Sequence, residues 1–228
     1  MSNFIKVVNT VLSSTYKIRN ELPKILKNHN MLSFDCETRS VYKKEERSEA
    51  KTYLKDATTS DTYYKQARIV SESSGLSYPS LVKTTHFIFG ISKNEVYTII
   101  CKTPEMELFV WNLLADYFGT FLVHNSGFDM KICYQRTGRM PKNVIDTQLL
   151  AKCLINHVNI WKAKTGLKDL VGDYYPPSWS LYSDYEPVDL KNPDFLKYCG
   201  WDGSAVWTVY ELMKEELRNE KYISEKPK

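Results

Sequence analysis

Met31-Leu-Ser-Phe-Asp-Cys-Glu-Thr38 is the stretch on which the reading of this chain turns. Apolar Leu32 and Phe34 alternate with Ser33, Asp35 and Glu37, which is the period of a β-strand. On a strand, Asp35 and Glu37 project from one face. Two like charges side by side at a strand end repel each other, and a cation or a proton is the usual means of holding them there. Taken alone, the stretch is equally well two solvated acids at a strand exit. What surrounds it has to decide.

Upstream, residues 3–19 carry Phe4, Ile5, Val7, Val8, Val11 and Leu12 in a spacing that fits a helix, with a short strand as the alternative. Asn20 reads as an N-cap and Pro23 as a first-turn residue of a helix ending near Asn28. Downstream, residues 41–84 change character. They are rich in Lys, Glu, Ser, Thr and Tyr, with few aliphatics. A structureless connection of that length is unusual inside a compact domain, so the segment reads as an insertion. It is either a flap contacting nucleic acid, with basic residues between tyrosines, or a solvated excursion with no direct role.

Regular structure is expected again from His86. Residues 86–92 and 95–101 are β-rich runs separated by Lys93-Asn94, a hairpin signal. Thr103-Pro104-Glu105 opens a helix that runs to about Phe118. Residues 120–125 form a short strand that feeds a helix to about Arg136. Val144-Ile-Asp-Thr147 is a strand end before a helix through Ile155, and 164–170 suggests another short helix. Residues 174–193 read as loop. The last helix starts near Asn192 and reaches about Asn219. A hairpin followed by strand–helix alternation implies a mixed sheet with helices on its faces.

The totals narrow the class. A chain of 228 residues fits one domain with a substantial insertion, and 43% apolar residues exclude wholesale disorder. A net charge of +4 permits a nucleic-acid partner without demanding one. The five cysteines, Cys36, Cys101, Cys133, Cys153 and Cys199, are scattered and form no CxxC pair. They support neither a zinc site nor a disulfide framework and read as reduced, buried thiols. The N-terminus has no signal-peptide pattern and no apolar run approaches a membrane span, so a cytoplasmic protein is expected.

Three later acids are candidates to join the opening pair. Asp129, in His124-Asn-Ser-Gly-Phe-Asp129, falls in the first turn of a helix directly after a strand, where Asn125 or Ser126 can cap. Asp202, in Tyr198-Cys-Gly-Trp-Asp202, shares a helix face with Tyr198 four residues earlier and with Ala205, Val206 and Val209. That apolar face makes an unpartnered carboxylate costly. Asp146 sits at a strand-to-helix junction and reads better as an N-cap. His124 reads as a structural histidine.

With these residues quoted, the chain resembles the DnaQ-like 3′–5′ exonucleases with four acidic residues, the DEDD group. The D-x-E-T motif is matched by Asp35-Cys-Glu37-Thr38, N-x-x-(F/Y)-D by Asn125 to Asp129, and Y-x-x-x-D by Tyr198 to Asp202. The sibling H-x-x-x-x-D pattern has Lys197 in its first position here, so the tyrosine subgroup is implied. The phrase Arg136-Thr-Gly-Arg-Met-Pro-Lys-Asn-Val-Ile-Asp146 looks most like the proofreading domain of family A DNA polymerases. The resemblance covers roughly residues 20–218. The chain departs from the family in the insertion, which follows the first catalytic strand, and in Gly203, where an alanine is usual.

The resemblance implies an RNase H-like mixed five-stranded sheet with helices on both faces and two divalent ions, Mg²⁺ or Mn²⁺. Asp35 bridges both ions, Glu37 and Asp202 hold the first, and Asp129 supports the second through water. Tyr198 positions the attacking water. Thr38, Asn125 and Phe128 are the candidate substrate contacts. The implied reaction releases nucleoside 5′-monophosphates from DNA 3′ ends, in proofreading or end-trimming with a DNA polymerase as partner. The alternatives are an RNase D-like exoribonuclease and a non-catalytic binding module on the same fold.

Overall fold

The computed structural model describes residues 4–40, 82–155, 164–182 and 189–218. Its strands are β1 Val8–Leu12, β2 Met31–Ser40, β3 Val82–Gly90, β4 Glu95–Ile100, β5 Thr120–Val123 and β6 Asn143–Asp146. Its helices are α1 Thr15–Asn28, α2 Pro104–Ala115, α3 Gly127–Thr137, α4 Thr147–Ile155, α5 Leu167–Val171 and α6 Pro193–Arg218. Of two 3-10 turns, Gly172–Tyr174 and Pro177–Tyr182, the second lies in the stretch expected to be loop.

The sheet is mixed, in the order β1-β4-β3-β2-β5-β6. The β2–β3–β4 meander is antiparallel, whereas β5, β6 and β1 join in parallel. Six strands stand where five were expected. The sixth is β1, and its side chains explain the choice. Asn9 donates from Nδ2 to the Leu196 carbonyl at 2.7 Å and accepts from the Thr98 hydroxyl at 2.9 Å, bonds that a helix over this stretch would not place. A short apolar run cannot declare this by periodicity alone. The helix after it begins earlier than Asn20. Ser14 is the cap, accepting from the Lys17 amide at 3.2 Å, and Pro23 lies inside the helix.

Two cores sandwich the sheet. One face packs Phe34, Phe87, Phe89, Ile99 and Phe121 against α1, α2 and α3, with Trp111 at the centre. The other packs Ile88 and Val96 against α4, α5 and α6. Helix α6 comes very close. A Cβ on Gly203 would meet Ile88 Cγ2 at 2.7 Å and Val96 Cγ1 at 3.0 Å, and Ser33 donates its hydroxyl to the Gly203 carbonyl at 2.6 Å. Glycine at 203 therefore follows from helix–sheet contact.

β2 and β3 pair with one irregularity. Glu37 faces His86, but Thr38 faces Thr84, so Thr85 is the extra residue of a bulge on β3. Residues 82–84, read as the end of the insertion, begin β3 instead. The rest of the insertion lies outside the described residues. Four of the five cysteines are buried as expected, and Cys153 is exposed. Among the described residues no helix is long and apolar enough to cross a membrane.

Candidate active site

β2 and α6 meet at the acids. Asp35 and Glu37 come from the strand, as its alternation requires, and Asp202 comes from the helix seated on that face by Gly203. One carboxylate oxygen from each of Asp35, Glu37 and Asp202 lies within 4.8 Å of the others. Asp129, on the first turn of α3, stands outside this trio. Cys36, next to both strand acids, hydrogen-bonds to its carboxylate. Its Oδ1 is nonetheless buried without a hydrogen-bond partner. A buried carboxylate oxygen left bare is costly and calls for an ion or a proton.

The electrostatics agree. Burial pushes Asp35 up to about 6, partly offset by the Cys36 amide and by Lys168. Burial and the Asp35 charge push Asp202 up to about 7. Glu37 and Asp129 also rise well above the carboxylate range, first by burial and then by Asp35. Four carboxyls that cannot all ionise comfortably together are a donor set short of positive charge. Hard carboxylate oxygens suit Mg²⁺ or Mn²⁺.

The Tyr198 hydroxyl is hydrogen-bonded to Asp202, one turn away on the same helix face. Burial and the surrounding acids raise its pKa, so it stays a neutral donor. Asp202 is fixed from the other side as well. The Trp179 indole donates to its Oδ1 at 2.7 Å. Lys168, on α5, places its ammonium 4.9 Å from the Tyr198 ring centroid and 5.3 Å from that of Trp179. It is the cation that eases Asp35, Glu37 and Asp202. Sequence reasoning missed both roles. Trp179 lay in a stretch read as loop. Its signal was a large aromatic among Pro and Ser residues, which rarely stays exposed. Lys168 lay in the short helix expected over 164–170, within a stretch that resembles the family, but no role was read for it.

The expected substrate contacts are dispersed. Asn125 is exposed and holds φ 62°, a left-handed conformation that Asn tolerates, at the turn from β5 into α3. Phe128 is half-buried and packs against the aromatic core. Strand alternation puts Thr38 with Cys36, on the face away from Asp35 and Glu37.

Neither Asn125 nor Ser126 caps α3 by its side chain. Asp146 organises the turn in their place. It accepts from the Ser126 amide and hydroxyl, both at 2.8 Å, and from the Asn125 amide at 3.2 Å. It also caps α4 through the Gln148 and Leu149 amides at 2.9 and 3.1 Å. Burial raises the Asp146 pKa, but these bonds outweigh it and the net shift is downward. His124 bridges Thr147 Oγ1 at 2.9 Å and the Thr165 carbonyl at 3.0 Å. It ties strand to helix and stays out of the acid cluster.

No protein-family model and no curated protein sequence matches the chain. Solved structures do match. The EXO domain of Aedes aegypti Nibbler aligns over 96% of this chain and 94% of its own, with TM-score 0.63 and 13% identity. Brucella melitensis NrnC with bound Mg²⁺ aligns over 95% and 84%, with TM-score 0.53 and 13% identity. Escherichia coli RNase D, an exoribonuclease involved in structured RNA processing, aligns over 95% of this chain and 47% of its own, with TM-score 0.57 and 12% identity.

The chain has their fold. It is the mixed sheet with helices on both faces that the strand and helix pattern implied, in the RNase H-like form that the family resemblance implied.

Proposed function

We propose that this protein is a divalent-metal-dependent 3′–5′ exonuclease that hydrolyses phosphodiester bonds at nucleic-acid 3′ ends. The observation that carries the reading is the meeting of Asp35, Glu37 and Asp202 within 4.8 Å, beside the bare buried oxygen of Asp129. A cluster this costly has little use without a cation.

Asp35, Glu37 and Asp202 are the residues that would hold one ion, with Asp35 and Asp129 toward a second. When bound, such ions offset charge on the phosphate and lower the pKa of water. The chain's own groups do the rest. Tyr198, kept neutral, offers a hydroxyl to orient the attacking water. Trp179 fixes one oxygen of the Asp202 carboxylate. Lys168 lowers the cost of ionising Asp35, Glu37 and Asp202 and adds positive charge beside them.

RNA is the favoured substrate. RNase D shares the fold and is an exoribonuclease, and NrnC has been solved bound to pGG. DNA is the second reading, supported by the family A polymerase phrase over Arg136–Asp146, and proofreading would add a polymerase partner. The test is release of nucleotides from end-labelled RNA and DNA of one sequence, with Mg²⁺, Mn²⁺ or chelator. Metal-dependent 3′ shortening is expected, faster on RNA. A protein that binds both strands and shortens neither would be a binding module instead.

A further inference from the structure

Arg39 and Lys83 face each other across β2 and β3, two rungs beyond the pair Glu37 and His86. Strand alternation sets Arg39 on the side of Asp35 and Glu37. Lys83 reaches that side only because of the extra residue Thr85. The packing records the slip: Val82, Phe87 and Phe89 all belong to the aromatic core, although Val82 has the opposite parity. Without the bulge, Arg39 would oppose Thr84 and Lys83 would be turned toward that core. The bulge thus places two cations directly opposite each other on the face that carries the acids.

Like charges directly opposed on adjacent strands destabilise a sheet. Both side chains are exposed, and among the described residues neither enters an ion pair. They border a groove of about 690 Å³ that also takes in Lys102, Glu107 and Arg136. Glu107 is already engaged. It accepts from Arg136 at 3.0 Å and from the Thr84 amide at 3.2 Å. The described lining therefore keeps a net positive charge from Arg39, Lys83 and Lys102. The groove wraps the end of the β2–β3 pair, with α2 and α3 on one side and Leu190 on the other, and the Leu190 carbonyl accepts from His86, the partner of Glu37, at 2.9 Å. Arg39 lies two residue steps along the strand from Glu37, about 7 Å at the usual rise. That is the scale of one nucleotide in an extended strand.

We propose that the Arg39–Lys83 rung is a phosphate-binding subsite that holds the phosphate next to the scissile one in a nucleic-acid strand. The proposal rests on the exonuclease reading of the acid cluster. A guanidinium can grip phosphate through two oxygens while an ammonium adds a point charge. A bound phosphate would cancel the repulsion within the rung. Contacts of this kind set the register of a strand and read no sequence.

The test is binding of a short fluorescent oligouridine in chelator, followed by anisotropy over a range of salt. Removing a phosphate contact from a single strand lowers the log–log salt slope by about 0.7. The double variant Arg39→Gln/Lys83→Gln is expected to lose about that slope, with roughly tenfold weaker binding at low salt. Arg39→Lys is expected to retain the slope. Both positions are exposed, and an unchanged melting temperature excludes misfolding as the cause. A double variant with the wild-type slope overturns the proposal, as does wild-type protein that fails to bind the strand at low salt. Nucleotide release by wild-type protein in Mg²⁺, run in parallel, tests the parent reading separately. Salt-dependent binding without release would sink the nuclease assignment, and with it the rung's place next to a scissile phosphate, while the loss of slope in the double variant would still show a phosphate contact.

Discussion

At the scale of single residues, the site is a balance between carboxylates that repel and groups that hold them in place. Trp179 illustrates the second kind. Its indole occupies one oxygen of Asp202, so Trp179→Phe keeps most of the packing and removes only the donor. We expect kcat for nucleotide release to fall by about tenfold, the scale of a lost charge-assisted hydrogen bond. The melting temperature should drop only slightly. Unchanged kcat would show that Asp202 needs no such support. The repelling kind is represented by Asp35. Replacing it by Asn relieves repulsion on Glu37, Asp129 and Asp202, all of which it pushes upward. In chelator, Asp35→Asn is therefore expected to melt higher than wild type. Adding Mg²⁺ or Mn²⁺ should raise the melting temperature of wild-type protein and leave that of the variant nearly unmoved. Cleavage by the variant should be lost.

At the scale of elements, two junctions carry the site. The first is α6 on the sheet. Alanine in a helix interior normally gains about 0.5–1 kcal/mol over glycine. At Gly203 the added methyl would meet the branched side chains of Ile88 and Val96. We expect Gly203→Ala to be destabilising by about 1–3 kcal/mol, as overpacking is, and to weaken metal binding by moving Asp202 from β2. A stabilised variant would show that the helix can shift freely. The second junction is the β5–α3 turn, held by Asp146. Its folded pKa is depressed, so its carboxylate contributes stability above the unfolded value near 3.9 and loses it as pH falls through the folded value. Asp146→Asn is expected to cost about 1–2 kcal/mol at pH 7. The gap to wild type in urea unfolding should close as the pH drops below about 4. A gap that persists in acid would mean that geometry, and not charge, is what the turn needs.

At the scale of the whole molecule, the sheet acts as a partition. Its aromatic face with α1, α2 and α3 is a packed core, and Asp129 approaches the acids from that side through Cys36. Its other face receives α4, α5 and α6, which bring Lys168, Tyr198 and Asp202. The acids gather at the β2 end between these layers. Metal binding there links elements on both sides of the sheet. Loss of metal is therefore expected to raise amide exchange at the start of α3 and in the middle of α6 together, more than in α1 or α2. Exchange that rises in α6 alone would place Asp129 outside the ion site.

The local half of this arrangement was legible in the residue order. Asp35 and Glu37 share a face because a strand has a period of two, and Tyr198 and Asp202 share one because a helix repeats near four. The helix start at Thr103-Pro104 was readable for the same reason: its geometry is settled within a few residues. Only the tertiary structure decided that β1 is a strand and that Trp179 and Lys168 stand beside Asp202. It also decided that Thr85 is surplus to the pairing and sends Lys83 to the same face as Arg39. Each of these depends on which surfaces come within contact distance. That is set by packing between segments far apart in sequence, such as Gly203 on Ile88, and no short-range period records it.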